Sequence, residues 1–120
     1  MITLSIPEAS PSLNELKGKH WSHHQRMRRH WSMLVLIAKN EARVSMAAPP
    51  EQVTVQITRE GRRKLDEDNL AGGLKCLIDS LREQRLIVND DPQHMTLLPT
   101  LQVLIPKTAY PRTLVQICGK

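Results

Sequence analysis

The stretch LDEDNLAGGLKCLID, residues 65–79, constrains this chain more than any other. At about 100° per residue, Leu70, Leu74, Leu77, Ile78 and Leu81 fall within one quadrant of a helix. A stripe of that kind must dock on a sheet or on another helix. Asp68, Gly72, Lys75 and Asp79 stack along the opposite, exposed edge. Gly72 and Gly73 each cost a helix about 1 kcal/mol relative to Ala. Their presence implies close approach of the backbone to another element or to a phosphate. Asp66, Asp68 and Asn69 suit a helix start, where side chains cap exposed N–H groups at the positive end of the dipole. Capping explains one Asp. It does not explain two, nor the acidic echo at Asn89, Asp90 and Asp91.

The flanking sequence supplies a sheet for that helix. Ile2, Leu4 and Ile6 alternate with Thr3 and Ser5 at the period of a half-buried strand, and Pro7 ends it. The turn-rich EASPSLNE follows as an extended loop whose Asn14 caps a turn or touches a backbone phosphate. A helix is expected from about residue 22 to about residue 45, with Met27, Trp31, Leu34, Val35, Ala38 and Ala42 recurring at three- and four-residue steps. The AAPPEQ break between Met46 and Gln52 stops it. Val53, Val55 and Ile57 form a second strand, leading into a basic loop, Arg59–Lys64, expected to have no fixed structure without its ligand. Asp90, Asp91 and Pro92 mark a chain reversal. Met95 to Ile105 is a strand interrupted by Pro99, hence an edge or a bulge. KTAYPR is a basic turn, and Leu114, Val115 and Ile117 make the last strand. The order strand, helix, strand, helix, strand, strand defines one α+β domain over residues 1–120. Two helices pack on a mixed, mostly antiparallel sheet. With Trp21, Trp31 and Tyr110 the only aromatics, the core is built from Leu, Ile, Val and Met.

Lys and Arg outnumber Asp and Glu by 17 to 12, a net charge of +5 that favours a polyanionic partner. The densest positive block is KGKHWSHHQRMRRH, residues 17–30, which suits phosphate contacts and steers nucleic acid toward a site. The competing interpretation is a solvated helix face. His20, His23 and His24 lack a Cys or carboxylate at ligand spacing, so a zinc site is the weaker interpretation. Cys76 and Cys118 form no CxxC pair and are expected to be reduced, packed thiols in the cytoplasm. No stretch approaches the roughly 18 apolar residues of a membrane span, and no targeting segment is evident.

Carboxylates at positions i and i+2 can reach one cation. Mg²⁺ takes one or two carboxylates, with water and phosphate completing its shell, and Mn²⁺ is expected to substitute. Asp66, Asp68 and Asp91 are the candidate ligands, with Asp90 the alternative to Asp91. They would neutralise a scissile phosphate through the ion and support in-line attack by water. Lys75 would stabilise the charge that develops in that step or orient the attacking water. Without metal, such clustered carboxylates are expected to raise one another's pKa values.

The string DEDNLAGGLKCLID, followed by LIVNDDP, resembles the RusA family of Holliday junction resolvases, including its phage and prophage members. PSLNE and the basic segment before the first helix are also similar, so the resemblance covers nearly the whole chain. It implies that Asp66, Asp68 and Asp91 bind divalent metal and that Lys75 is needed for cleavage. In the family's founding bacterial member the Lys follows the second Asp by four residues. Here Gly72 holds that place and Lys75 comes seven after Asp68, as from a three-residue insertion, Ala71 to Gly73. The resemblance further implies paired incision of a four-way DNA junction, leaving 5′-phosphate and 3′-hydroxyl ends. It also implies a homodimer, whose two-fold symmetry would match the junction's. Lys17, Lys19, Arg26, Arg28, Arg29, Arg62, Arg63 and Lys64, with Asn14 and Asn69, are the candidate DNA contacts. The alternative is a catalytically idle DNA- or junction-binding protein, which would have no use for carboxylates beside bound phosphates.

Overall fold

Alternating apolar residues set the layers. The computed structural model describes residues 1–44 and 48–120. In β1 (Ile2–Ile6), Leu4 and Ile6 are buried while Thr3 and Ser5 face out. In β2 (Val53–Gly61) Val53, Val55 and Ile57 are buried, as are Val115 and Ile117 in β5 (Arg112–Gly119). β5 lies antiparallel between β1 and β2, aligning Leu4 with Val115 and Val115 with Ile57. One face of the sheet is thereby a continuous apolar row.

α2 (Trp21–Glu41) and α4 (Lys75–Glu83) cover that face. Trp31, Val35 and Ala38 descend from α2 and Leu77 and Leu81 from α4, joined by Leu86 and Ile87. Trp31 is the largest buried side chain, only 1% exposed, so one aromatic enters the expected aliphatic core. The fold is the anticipated α+β domain with a mixed, mostly antiparallel sheet.

The far side of β2 carries the edge. β3 (Met95–Leu97) and β4 (Leu101–Leu104) both run parallel to β2. Val55 is opposite Leu97 and Thr58 opposite Leu101, so three steps on β2 match four on the edge. The extra residue is the bulge expected at Pro99, whose carbonyl accepts from Gln56 Nε2 at 2.7 Å.

Four local expectations change. The acidic-motif helix is two helices, α3 (Glu67–Gly72) and α4, separated at Gly73 and Leu74. A Cβ on Gly73 would overlap the Pro11 carbonyl, so the close approach that the glycines announced is to another element of the protein. A one-turn helix, α1 (Leu13–Leu16), appears in the PSLNE loop. Its cap is Ser12, which accepts from Glu15 N at 3.2 Å, in place of Asn14. The basic loop is ordered: β2 extends to Gly61, and Arg59 donates to Ser10 O and Arg63 O at 2.8 and 3.1 Å. α2 ends at Glu41, and Arg43 leaves in the left-handed region with φ 55°. Residues 45–47, where the helix was expected to end and its break to begin, lie outside the described residues.

Candidate nucleic-acid and metal site

A buried threonine brings the N-terminal loop to the acidic motif. Thr113 Oγ1 donates to Glu8 O at 2.7 Å and accepts from Ser10 N at 2.9 Å. Arg59 holds Ser10 from the other side, and burial of its guanidinium pushes its pKa down while nearby Glu15 raises it. Pro11 then seats against Gly73 and Leu13 against Gly72. Asn69 closes the junction between the two segments. Its Oδ1 accepts from Asn14 N at 3.2 Å, and its Nδ2 donates to Asp66 Oδ2 at 3.1 Å. Asn14 and Asn69, candidate DNA contacts by sequence, therefore hold α1 against α3.

This docking gathers basic residues from two distant parts of the chain. Lys17, His24 and Arg28 line one cleft of about 480 Å³ together with Lys75 and Asp79, above Leu13, Leu16 and Cys76. Arg28 is ion-paired with Glu83 at 3.0 Å. Lys75, the exposed first residue of α4, has no carboxylate partner among the described residues. The other basic candidates divide. Arg29 lines a second groove of about 520 Å³ with Arg28, Ser32, Met33 and Glu83. Lys19 and Arg26 are exposed near the start of α2. Arg62, Arg63 and Lys64 are exposed beyond the end of β2, with Arg62 Nη2 donating to Ala109 O at 2.9 Å.

The carboxylates have unequal duties. Asp66 caps α3, accepting from Asn69 N at 2.9 Å. Asp91 caps the turn into β3, accepting from Gln93 N, His94 N and His94 Nδ1 on Oδ1 and from Asn89 Nδ2 on Oδ2. The 2.7 Å bond from His94 holds the Asp91 carboxyl below its ordinary range, opposite to the expected rise. Asp90 approaches Arg82 at 3.8 Å. Asp68, exposed in the first turn of α3, has no hydrogen-bond or ion-pair partner among the described residues.

The three expected ligands do not come together within the chain. Leu65 is pinned to Gln102, which pairs with Arg59, while Asp91 sits just before Met95, opposite Val53. Six residues of strand put those levels roughly 20 Å apart. Among the described residues, no three His, Cys, Asp or Glu side chains are grouped to hold a metal ion. Asp66 and Asp68 alone still fit Mg²⁺ by donor type, because that ion commonly takes one or two protein carboxylates. Asp66 also keeps spare lone pairs beyond its two hydrogen bonds.

The sequence matches no model of a known protein family, and no curated protein is found to be related to it. No helix among the described residues is long and apolar enough to cross a membrane.

Proposed function

We propose that this protein is a Mg²⁺-dependent endonuclease for four-way DNA junctions, acting as a homodimer, as its resemblance to the RusA resolvases implies, and that it works in the cytoplasm, as its unpaired cysteines suggest. One observation carries the proposal. Lys17 and Arg28, singled out as phosphate contacts, and Lys75, singled out as the cleavage lysine, line the same cleft although about fifty residues separate them in sequence. α3 leads directly into that cleft and presents Asp66 and Asp68 at its start. When bound there, Mg²⁺ would supply charge neutralisation at the scissile phosphate and a nucleophile at neutral pH; Mn²⁺ would substitute. The chain's own residues do the rest. Lys17 and Arg28 bind the DNA backbone, and Lys75 offsets the charge that builds on the phosphate as the bond breaks. Asn69 fixes the Asp66 carboxylate.

A homodimer accounts for the distance to Asp91. The β3–β4 edge exposes Leu97, Leu98, Leu101, Val103 and Leu104, an apolar strip with an unpaired backbone. Antiparallel pairing of two such edges across a two-fold axis would turn Asp91 of the partner subunit toward the Asp66 end of this protomer.

The idle DNA-binding alternative has one observation in its favour, since Asp66 and Asp91 both serve as caps. A single assay separates the two. Protein is incubated with a synthetic four-way junction or linear duplex, in Mg²⁺ or Mn²⁺ and then in chelator. Metal-dependent paired nicking of the junction, lost in Asp68→Asn, supports the nuclease. Binding without nicking in either metal supports the idle binder, and no selective binding refutes both. Mixing Asp68→Asn with Asp91→Asn protomers tests the dimer, because a shared site predicts that single-strand nicking returns in the mixture.

A further inference from the structure

Tyr110 is 90% exposed, in a chain with only three aromatic residues. Single exposed apolar groups are ordinary on protein surfaces, so exposure alone assigns nothing. The mounting of this ring is what needs a reason. Ile105 N donates to Gly61 O at 3.0 Å, rooting one end of the loop on the end of β2. Arg112 pairs with Glu60 in the sheet and by an ion pair at 2.9 Å, rooting the other. Between them, Ala109 N donates to Pro106 O at 3.0 Å, and Arg62 Nη2 spans the loop by donating to Lys107 O and Ala109 O at 3.4 and 2.9 Å. Pro106 and Pro111 restrict the backbone on both sides. Among the described residues no other ring stacks on Tyr110, and its hydroxyl has no hydrogen-bond partner. A large aromatic ring is therefore held out into solvent on a braced loop, with no ring or hydrogen-bond partner among the described residues.

Its surroundings specify a ligand. Lys107 is on the same loop, and Arg63 and Lys64 leave the same end of the sheet, all exposed. The segment from Arg62 to Leu65 connects that end directly to Asp66. An aromatic face amid cations suits a nucleobase whose stacking partner has been lost, with its flanking phosphates met by the lysines and arginines. A loop backbone braced in advance adds affinity by lowering the ordering cost of binding.

We infer that Tyr110 is a base-stacking site, taking an unstacked nucleotide at the branch point of a DNA junction beside the acidic motif. The inference rests on the junction-binding reading above. It is tested with a four-way junction carrying 2-aminopurine at the branch point and with linear duplex, both in chelator so that nothing is cut. Wild type, Tyr110→Ala and Tyr110→Phe are compared, with unfolding midpoints measured to show that all three fold. Tyr110→Ala is expected to bind the junction roughly 5- to 150-fold more weakly, since stacking contributes about 1–3 kcal/mol per base. Its affinity for linear duplex should be unchanged. Tyr110→Phe should bind like wild type, and the 2-aminopurine quenching that wild type produces should disappear only in Tyr110→Ala. If wild type binds the junction and Tyr110→Ala binds it equally well, or loses as much on linear duplex, the stacking site is overturned while junction binding stands. If wild type shows no preference for the junction, both fall together.

Discussion

Gly73→Ala isolates the contact on which the candidate site is assembled. A methyl carbon at residue 73 would overlap the Pro11 carbonyl oxygen outright and stand 2.6 Å from its carbon. The obstacle is backbone, held in turn by Arg59 on Ser10 O, so no flexible side chain can swing aside. Forcing an extra carbon into such a place costs about 1–3 kcal/mol, and backbone opposition argues for the upper end. Gly73 has φ −78°, a conformation open to any residue, so replacing it removes no strain; Ala instead returns up to about 1 kcal/mol by restricting the unfolded chain. The net expectation is a loss of about 2 kcal/mol, or roughly 8 °C in Tm for a domain of this size. Urea and thermal unfolding would measure it. Because Pro11 must move, α1 should separate from α3, and the Asn14 amide, bonded to Asn69 Oδ1 at 3.2 Å, should exchange its hydrogen faster. Ala71→Gly, at an exposed position of the same helix, serves as the control: it should lose about 1 kcal/mol from propensity alone and leave Asn14 protected. A Gly73→Ala variant as stable as wild type, with Asn14 exchange unchanged, would refute the claim that this contact assembles the site.

Two further predictions concern titrating groups. The His94 hydrogen bond depresses the Asp91 pKa, so the stabilisation it gives the 91–94 turn is present above the ordinary carboxylate pKa and disappears as pH falls through the depressed value. Carboxyl-carbon NMR titration should place the Asp91 midpoint below that of an ordinary Asp and show it rising in His94→Ala; no rise would remove His94 as the cause. Burial, followed by the nearby Asp79, raises the Cys76 pKa, whereas Cys118 is exposed. A thiol reagent at pH 8 should consume one equivalent rapidly and the second only on unfolding, and two fast equivalents would contradict the buried position of Cys76.

Much of this architecture was legible because it follows from periodicity. The strand alternation at residues 2–6 and 53–57, the helical stripe through Leu70, Leu74, Leu77 and Leu81, and the bulge at Pro99 are local patterns read with local rules. Two charged residues lie where burial parity, not charge, decides their place. Lys39 is 6% exposed, with Nζ donating 2.7 Å to Gln84 O at the end of α4. Its place four residues after Val35 and eight after Trp31 puts it on the buried stripe of α2, and that spacing was the available signal. Arg59 likewise follows Val55 and Ile57 at the inward parity of β2, so the strand continues through the first three residues of the expected loop, to Gly61. The break at Gly73 depends on Pro11, sixty-two residues away, and no periodicity in either segment reports that contact.

The separation of Asp66 from Asp91 is of the same non-local kind, and it changes how the acidic motif is to be understood. Sequence proximity to a conspicuous helix suggested one cluster completed across the fold. The parallel run of β2 and β3 forbids it, because Asp91 must lie beside the start of β2 while the chain that leaves the other end leads to Asp66. A parallel pair puts like ends together, so residues before one strand and after its neighbour always lie at opposite ends of the sheet. An antiparallel edge contact between two copies, as proposed, would reverse that relation. Under the proposed function, a carboxylate pair at the start of α3 in one copy and Asp91 of the partner subunit would together supply the three ligands that this topology keeps apart within one chain.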